Sequence, residues 1–302
     1  MTYQPIHGGG VPTVTPMTDN GAIAPDVIKP LADYLIAQGV SGLFPMGSTG
    51  EGVLLTTDER KSIAEATVKA VDGRVPVIAH TGAITTAETI DLTAHAKAIG
   101  ADAVAVIAPY YFTHSDTTLI AHYSAVLDTV PDMPMYLYNY PAVSNNTLSL
   151  DVVTRLAKRY EMVVGLKDSS GDLQTLFASN RLQSGKFNTA LGPDELILAG
   201  LSMGLDAIVS GHANLVPEII VPLYHASVNG KLEEAQKLQR KLNQVRDVLA
   251  SGGWLPMLKA LLNQRGIPVG HVRRPLLAPD DEMIQTAIRQ FTALRVSLET
   301  VT

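Results

Sequence analysis

The feature that most constrains this chain is a regular alternation. Short apolar runs trade places with amphipathic helical patterns about eight times over its first ~210 residues. The runs expected as strands are Gly10–Val14, Gly42–Met46, Val75–His80, Asp102–Ile107, Pro134–Asn139, Met162–Lys167, Asn188–Leu191 and Asp206–Ser210; a short apolar run bounded by turn residues reads as a buried strand. Between them, Val27–Gln38 places Ile28, Leu31 and Leu35 on one face and stops at Gly39, as an amphipathic helix does. Thr56 with Glu59, and Thr85 with Glu88, have capping-box spacing, the second run closing at Gly100. Leu148–Tyr160 groups Val152, Val153 and Leu156, and Asp194–Met203 ends at Gly204. Two architectures bury such a pattern: a closed barrel or a doubly wound sheet. The count of eight, and the lack of a dinucleotide fingerprint after the first strand, favour an α/β fold of the (β/α)8 TIM barrel type.

After Ser210 the pattern turns helical: Val216–Ala226, Lys231–Ala250, Trp254–Gln264 and Asp280–Leu298. The expected organisation is a barrel core over residues 1–214, with C-terminal helices over 215–302 that complete the barrel and extend it. No Gly/Ser/Pro-rich linker interrupts the alternation. A net charge of -6 provides no basic field for nucleic acid. Zero cysteines exclude disulfides, thiolate metal sites and cysteine nucleophiles. The start, MTYQPIHGGG, has no apolar signal core, and no segment approaches the ~20 apolar residues of a membrane span. The expectation is a cytoplasmic protein that binds neither nucleic acid nor membrane.

In a barrel the chemistry sits where strands end at their C-terminal side. The run Met162–Leu166 stops on Lys167, followed by Asp168-Ser169-Ser170-Gly171. A lysine there sits beneath a pocket, where partial desolvation lowers its pKa and a neutral amine can attack a ketone to form a Schiff base; a lysine that merely caps a strand in water reads the same locally. The second strand runs into Gly47-Ser48-Thr49-Gly50-Glu51-Gly52, a tight loop of exposed N–H groups suited to an anion. Glu51 would repel a doubly charged group, so a single carboxylate fits better than phosphate. Tyrosines concentrate at two strand ends, as Pro109-Tyr110-Tyr111 and Tyr136-Leu137-Tyr138-Asn139-Tyr140-Pro141, where a hydroxyl near a Schiff-base lysine can move protons. Gly192-Pro193-Asp194-Glu195 sets two carboxylates at a helix start, favoured by the dipole and suited to a polyol. The eight histidines show no metal-ligand spacing, so no metal is expected.

Taken in order, GSTGE, PYY, YNYP and GLKDSSGD resemble the dihydrodipicolinate synthase / N-acetylneuraminate lyase family, over roughly residues 7 to 298. The resemblance implies a class I aldolase working through a covalent imine on Lys167, with no separate cofactor. It implies Tyr138 as the proton-transferring tyrosine and Ser48 and Thr49 as the pyruvate-carboxylate cradle. Ser48 would link Tyr138 to Tyr111, which relatives receive from a neighbouring subunit. A homo-oligomer follows, usually a dimer of dimers. Pyruvate and a small aldehyde or sugar acid are the implied partners.

Where synthases of the family carry an arginine two residues beyond the YNxP proline, this chain has Val143. That departure, with YNYPAVS and GSTGE, is closer to the sugar-acid and sialate aldolases. Their polyol contacts are matched by Gly192, Asp194, Glu195, Ser169 and Ser210, while His212 and Asn214 depart from the sialate pattern. A lyase for a 2-keto-3-deoxy sugar acid or a sialic acid is the first expectation. The alternatives are dihydrodipicolinate synthase, with Arg273 and Arg274 as the available cations, a dehydratase using the same imine, and a non-catalytic keto-acid sensor.

Overall fold

A computed structural model describes residues 3–299. Its strands are β1 (Gly8–Val11), β2 (Gly42–Leu43), β3 (Ile78–His80), β4 (Ala103–Ile107), β5 (Met135–Asn139), β6 (Val163–Asp168), β7 (Asn188–Leu191) and β8 (Ala207–Val209). All pair in parallel, in the order β2-β1-β8-β7-β6-β5-β4-β3. A parallel bridge between Leu43 and Val77 brings β2 against the entry to β3, with Leu43 N–H donating to the Pro76 carbonyl at 2.9 Å. That contact nearly closes the ring, and the fold is the expected (β/α)8 barrel.

The helices are α1 (Ile28–Ala37), α2 (Thr57–Val71), α3 (Thr86–Ala98), α4 (Asp116–Thr129), the single turn α5 (Pro141–Ser144), α6 (Leu150–Arg159), α7 (Leu173–Ser179), α8 (Ile197–Ser202), α9 (Pro217–Val228), α10 (Leu232–Ala250), α11 (Trp254–Gln264) and α12 (Asp281–Ala293). Thr56 forms the full capping box with Glu59. At Thr85 only half forms. Its hydroxyl accepts the Glu88 N–H, but the Glu88 carboxylate accepts from the Thr57 hydroxyl at 2.9 Å and so ties α3 to α2. The first strand lies earlier than its apolar residues suggest, because Gly8–Gly10 pair with β8 while Pro12 lacks the N–H to continue a ladder. The last helix stops short of Leu298. Arg295 turns into the left-handed region, and Val296 N–H bonds back to the Phe291 carbonyl, a Schellman-type stop.

At the N-terminal end of the barrel, Tyr3 donates to Tyr136 (2.8 Å), Tyr136 to Asn188 (2.8 Å) and Asn188 to the Ile6 carbonyl (2.9 Å). This chain of satisfied polar groups ties the N-terminal segment to the base of the barrel. Among the described residues, no helix is long and apolar enough to cross a membrane.

His122 of α4 gives the fold a titratable weak point. It is buried, holds Thr86 at 2.9 Å through Nδ1, and has no partner for Nε2. Burial, helped by nearby His114, pushes its pKa down to about 4. Between that value and the unfolded ~6.5 the unfolded chain binds the extra proton, so stability falls as pH drops through this window. The expected contribution is about 3 kcal/mol, from roughly 1.4 kcal/mol per pKa unit. Thermal melts from pH 7 to 4 check it: His122→Gln should flatten the acid limb, and an unchanged limb would refute the assignment.

Candidate active site

Lys167 is the penultimate residue of β6, and the β5–β6 register sets it directly opposite Tyr138. Side chains opposite each other on neighbouring strands point the same way. Lys167, only 6% exposed, therefore lies with Nζ 3.6 Å from the centre of the Tyr138 ring. Burial alone would push the Tyr138 phenol up. The Lys167 charge, with polar contacts from Lys167, Ser48 and Ser169, outweighs it and holds the phenol below its ordinary value. A lysine nitrogen and a phenol held ready to ionise thus share one buried spot.

The loop after β2 curls tightly over this spot. Met46 and Glu51 both adopt left-handed backbone, and Gly52 packs so closely that a Cβ would lie 1.9 Å from the Met46 carbonyl oxygen. Thr15 donates to the Gly50 carbonyl at 2.6 Å, and Ser48 and Thr49 line the cavity above Lys167. Glu51 behaves otherwise than its sequence position suggests. Its side chain is fully buried and turned away from any ligand, paired with Lys259 of α11 at 3.0 Å. Its second oxygen accepts the Arg273 N–H at 2.7 Å, and Lys259 also donates to the carbonyls of Thr15 and His271. Burial draws the Lys259 ammonium below the usual lysine range although Glu51 pushes the other way. Glu51 is a tether for the loop, and the expected repulsion of a doubly charged ligand does not operate.

The same cavity, about 470 Å3, is bordered by the segment after β7. Gly192 is required there, since a Cβ would lie 2.8 Å from the Asp168 carbonyl oxygen and crowd the Ser169 hydroxyl. Asp194 is buried, with one carboxylate oxygen on His212 Nδ1 in a short contact and the other without a partner. Glu195 pairs with Arg246 of α10 at 2.8 Å, and Trp254 of α11 lies tilted against the His212 ring, centroids 5.8 Å apart. All of these side chains line the cavity.

These features match a known family model, the dihydrodipicolinate synthetase family, over residues 6–293. The chain is 36% identical over 277 residues to an uncharacterized DapA-like lyase of Halobacterium salinarum, covering 92% of this chain and 90% of that one. It is also 36% identical over 288 residues to a 4-hydroxy-tetrahydrodipicolinate synthase of Hyphomonas neptunium, covering 94% and 97%. The chain belongs to the dihydrodipicolinate synthetase family. Among solved structures, a Proteus mirabilis N-acetylneuraminate lyase superimposes with a TM-score of 0.91 at 28% identity, covering 97% of this chain and 100% of that one. The protein is accordingly a lyase of the class I aldolase kind. Enzymes of this family use a lysine Schiff base with pyruvate.

Within this family member, not every expected residue reaches the cavity. Lys167, Tyr138, Ser48, Thr49, Ser169, Gly192, Asp194 and Glu195 line it together. Ser210 sits between the lining residues Val209 and Gly211, but its buried hydroxyl does not line the cavity and accepts the Ala213 N–H as a cap. Tyr111 is 77% exposed, in left-handed backbone, with its ring edge-on to Phe112, and it does not line the cavity. Arg273 is spent as a strap: it grips Glu59 at 2.6 and 2.7 Å and donates to the Gly21 and Leu54 carbonyls. Neither it nor exposed Arg274 lines the cavity, so the cation that the synthase alternative needed is not in that pair. The arginine that does line it, Arg246, escaped sequence reading. It is one charged residue on a helix whose Val245, Val248 and Leu249 are buried, and nothing local marks it. Among the described residues, no cluster of three or more His, Cys, Asp or Glu is arranged to hold a metal.

Proposed function

We propose that the protein cleaves, or in reverse forms, a 2-keto-3-deoxy sugar acid, giving pyruvate and a polyhydroxy aldehyde. The observation that carries this reading is the shared cavity: the Lys167–Tyr138 pair beside the Ser48–Thr49 loop, with the acids Asp194 and Glu195 on the same wall. The substrate carboxylate is held by the Ser48 and Thr49 hydroxyls and loop amides. The Lys167 amine adds to the C2 carbonyl, and the Tyr138 phenol gives its proton to the departing hydroxyl as water leaves, so that a protonated imine stands beside a Tyr138 phenolate. The Tyr138 phenolate takes the C4 hydroxyl proton, the C3–C4 bond breaks, and its electron pair flows into the imine as the aldehyde departs. The enamine then takes a proton at C3, and water hydrolyses the imine to release pyruvate and free Lys167.

The unpartnered oxygen of Asp194 is an acceptor for a substrate hydroxyl, and Arg246 is already engaged by Glu195, which together support a hydroxyl-rich tail over an anionic one such as aspartate semialdehyde. Val143, where synthases of the family carry arginine, supports the same preference. Tyr111 completes the proton relay of a neighbouring subunit, a reading supported by its exposure together with Phe112.

Borohydride reduction with pyruvate, read by intact mass and peptide mapping, tests the class: a single adduct on Lys167 is expected, and its absence in folded protein would promote the sensor reading. A panel of keto-deoxy acids and aspartate semialdehyde then ranks substrates, and loss of water without carbon–carbon cleavage would mark a dehydratase. Asp194→Asn, which weakens the unpartnered acceptor, should lower kcat/KM for the polyol substrate by about 10–100-fold, the worth of a hydrogen bond to a charged group. Trapping with pyruvate should be unaffected. Equal turnover in the variant would remove Asp194 from substrate binding.

A further inference from the structure

Behind Tyr138 stands a pair of groups that the reaction as written does not use. His80, the last residue of β3, is 6% exposed and meets the Tyr138 ring edge to face, with centroids 5.9 Å apart and planes at 90°. Arg60 of α2 lies behind it, 3% exposed and, among the described residues, bonded to no carboxylate. One guanidinium nitrogen of Arg60 donates to the carbonyls of His80 (2.8 Å) and Gly82 (3.0 Å) and sits 3.3 Å from His80 Nδ1. An arginine buried without a counter-ion is costly. This one is held by main-chain carbonyls at the very strand end that carries the histidine, which fixes both the backbone and the ring. Burial, then the Arg60 and Lys167 charges, hold the imidazole neutral. Among the described residues His80 Nε2 has no hydrogen-bond partner, so Arg60 at Nδ1 and the face of the Tyr138 ring are what hold the imidazole.

We propose that His80, clamped by Arg60, is a positioning residue that holds the Tyr138 ring where its phenol oxygen faces Lys167, Ser48 and Ser169. Those three contacts lower the Tyr138 pKa, and they depend on the ring not tipping. An edge-to-face aromatic contact supplies a directional wall of this kind, and small misplacements of a catalytic group have large kinetic costs. The ionisable groups around this unit are Arg60 from α2, Lys167 from β6 and Tyr140 beside Tyr138, with Glu88 of α3 and Tyr110 acting on Arg60.

The inference rests on the proposed proton transfer by Tyr138, and the experiment separates the two. His80→Ala should still form the trapped Lys167 adduct with pyruvate, which also shows the fold intact. Its kcat at neutral pH should fall by about 10–100-fold, with KM little changed. The limb of the kcat profile that reports the Tyr138 base should move to higher pH, because a tipped phenol loses what favours its anion. His80→Phe, which keeps the ring edge, should recover kcat to within a few-fold and restore the limb. A limb that stays put in His80→Ala, a loss of trapping in proportion to turnover, or a His80→Phe enzyme as poor as the alanine variant would each overturn the proposal. Failure of the wild-type protein to trap pyruvate would instead remove the underlying aldolase reading.

Discussion

Lys167→Ala is expected to abolish borohydride trapping with pyruvate and to lower turnover by at least about 10^4-fold, the scale seen when a covalent nucleophile is deleted. The size follows from the site: no other lysine lines the cavity, so no amine can take over the electron sink. The fold should survive, because removing a side chain that lies over the Tyr138 ring leaves the ladder Tyr138–Lys167 of β5 and β6 intact. The same variant tests where Tyr111 acts. Mixed with Tyr111→Phe chains under conditions of subunit exchange, Lys167→Ala chains should restore activity above either alone. In a mixed pair, one site combines an intact lysine with an intact tyrosine from the other chain. Mixtures no better than their components would place Tyr111 outside the partner's site, and residual trapping at another lysine would move the imine.

The second large effect is expected at Lys259. Lys259→Met leaves the Glu51 carboxylate, fully buried, facing Thr15 and His271 carbonyl oxygens with no positive charge between them. Breaking a buried pair from one side costs about 3–5 kcal/mol, because the remaining charge is uncompensated, which corresponds to a melting temperature lower by on the order of 10 °C. The loop carrying Ser48 and Thr49 is tethered by that carboxylate, so KM for the keto acid should rise as well. The double variant Lys259→Met/Glu51→Leu should regain much of the melting temperature. A single variant that melts with the wild type would show that the pair does not hold the loop.

How far the chain could be read depended on the range of the interaction. Thr56 and Glu59 are three residues apart, and their capping box forms as written. The run ending in Lys167 is a strand because its apolar character is continuous, and Tyr138 lands opposite it because parallel neighbours pair in register. Helix α4 was legible too, in the Ser115 cap and the buried spacing of Leu119, Tyr123, Val126 and Leu127, but was not singled out. Glu51 was misread for a different reason: its partner lies 208 residues away, and no local pattern announces a charge that will be buried. Arg273 was offered to the substrate for the same cause, its carboxylate partner Glu59 being 214 residues distant. Glycines 8 to 10 hid β1, since strand propensity favours β-branched and aromatic residues whereas close packing here selects against them: a Cβ on Gly10 would lie 2.7 Å from the Phe44 ring.

The pairing of Glu195 with Arg246 carries a practical consequence for altering the enzyme. Lys167 and Tyr138 belong to the rigid ladder of the barrel, whereas Arg246 and Trp254 reach the cavity from helices laid on afterwards. On the proposed function, the groups that break the carbon–carbon bond and two of those that would meet the aldehyde therefore come from different parts of the polypeptide. A mutagenesis library confined to positions 246 and 254 is expected to redraw which aldehydes are accepted as building blocks while trapping of pyruvate persists.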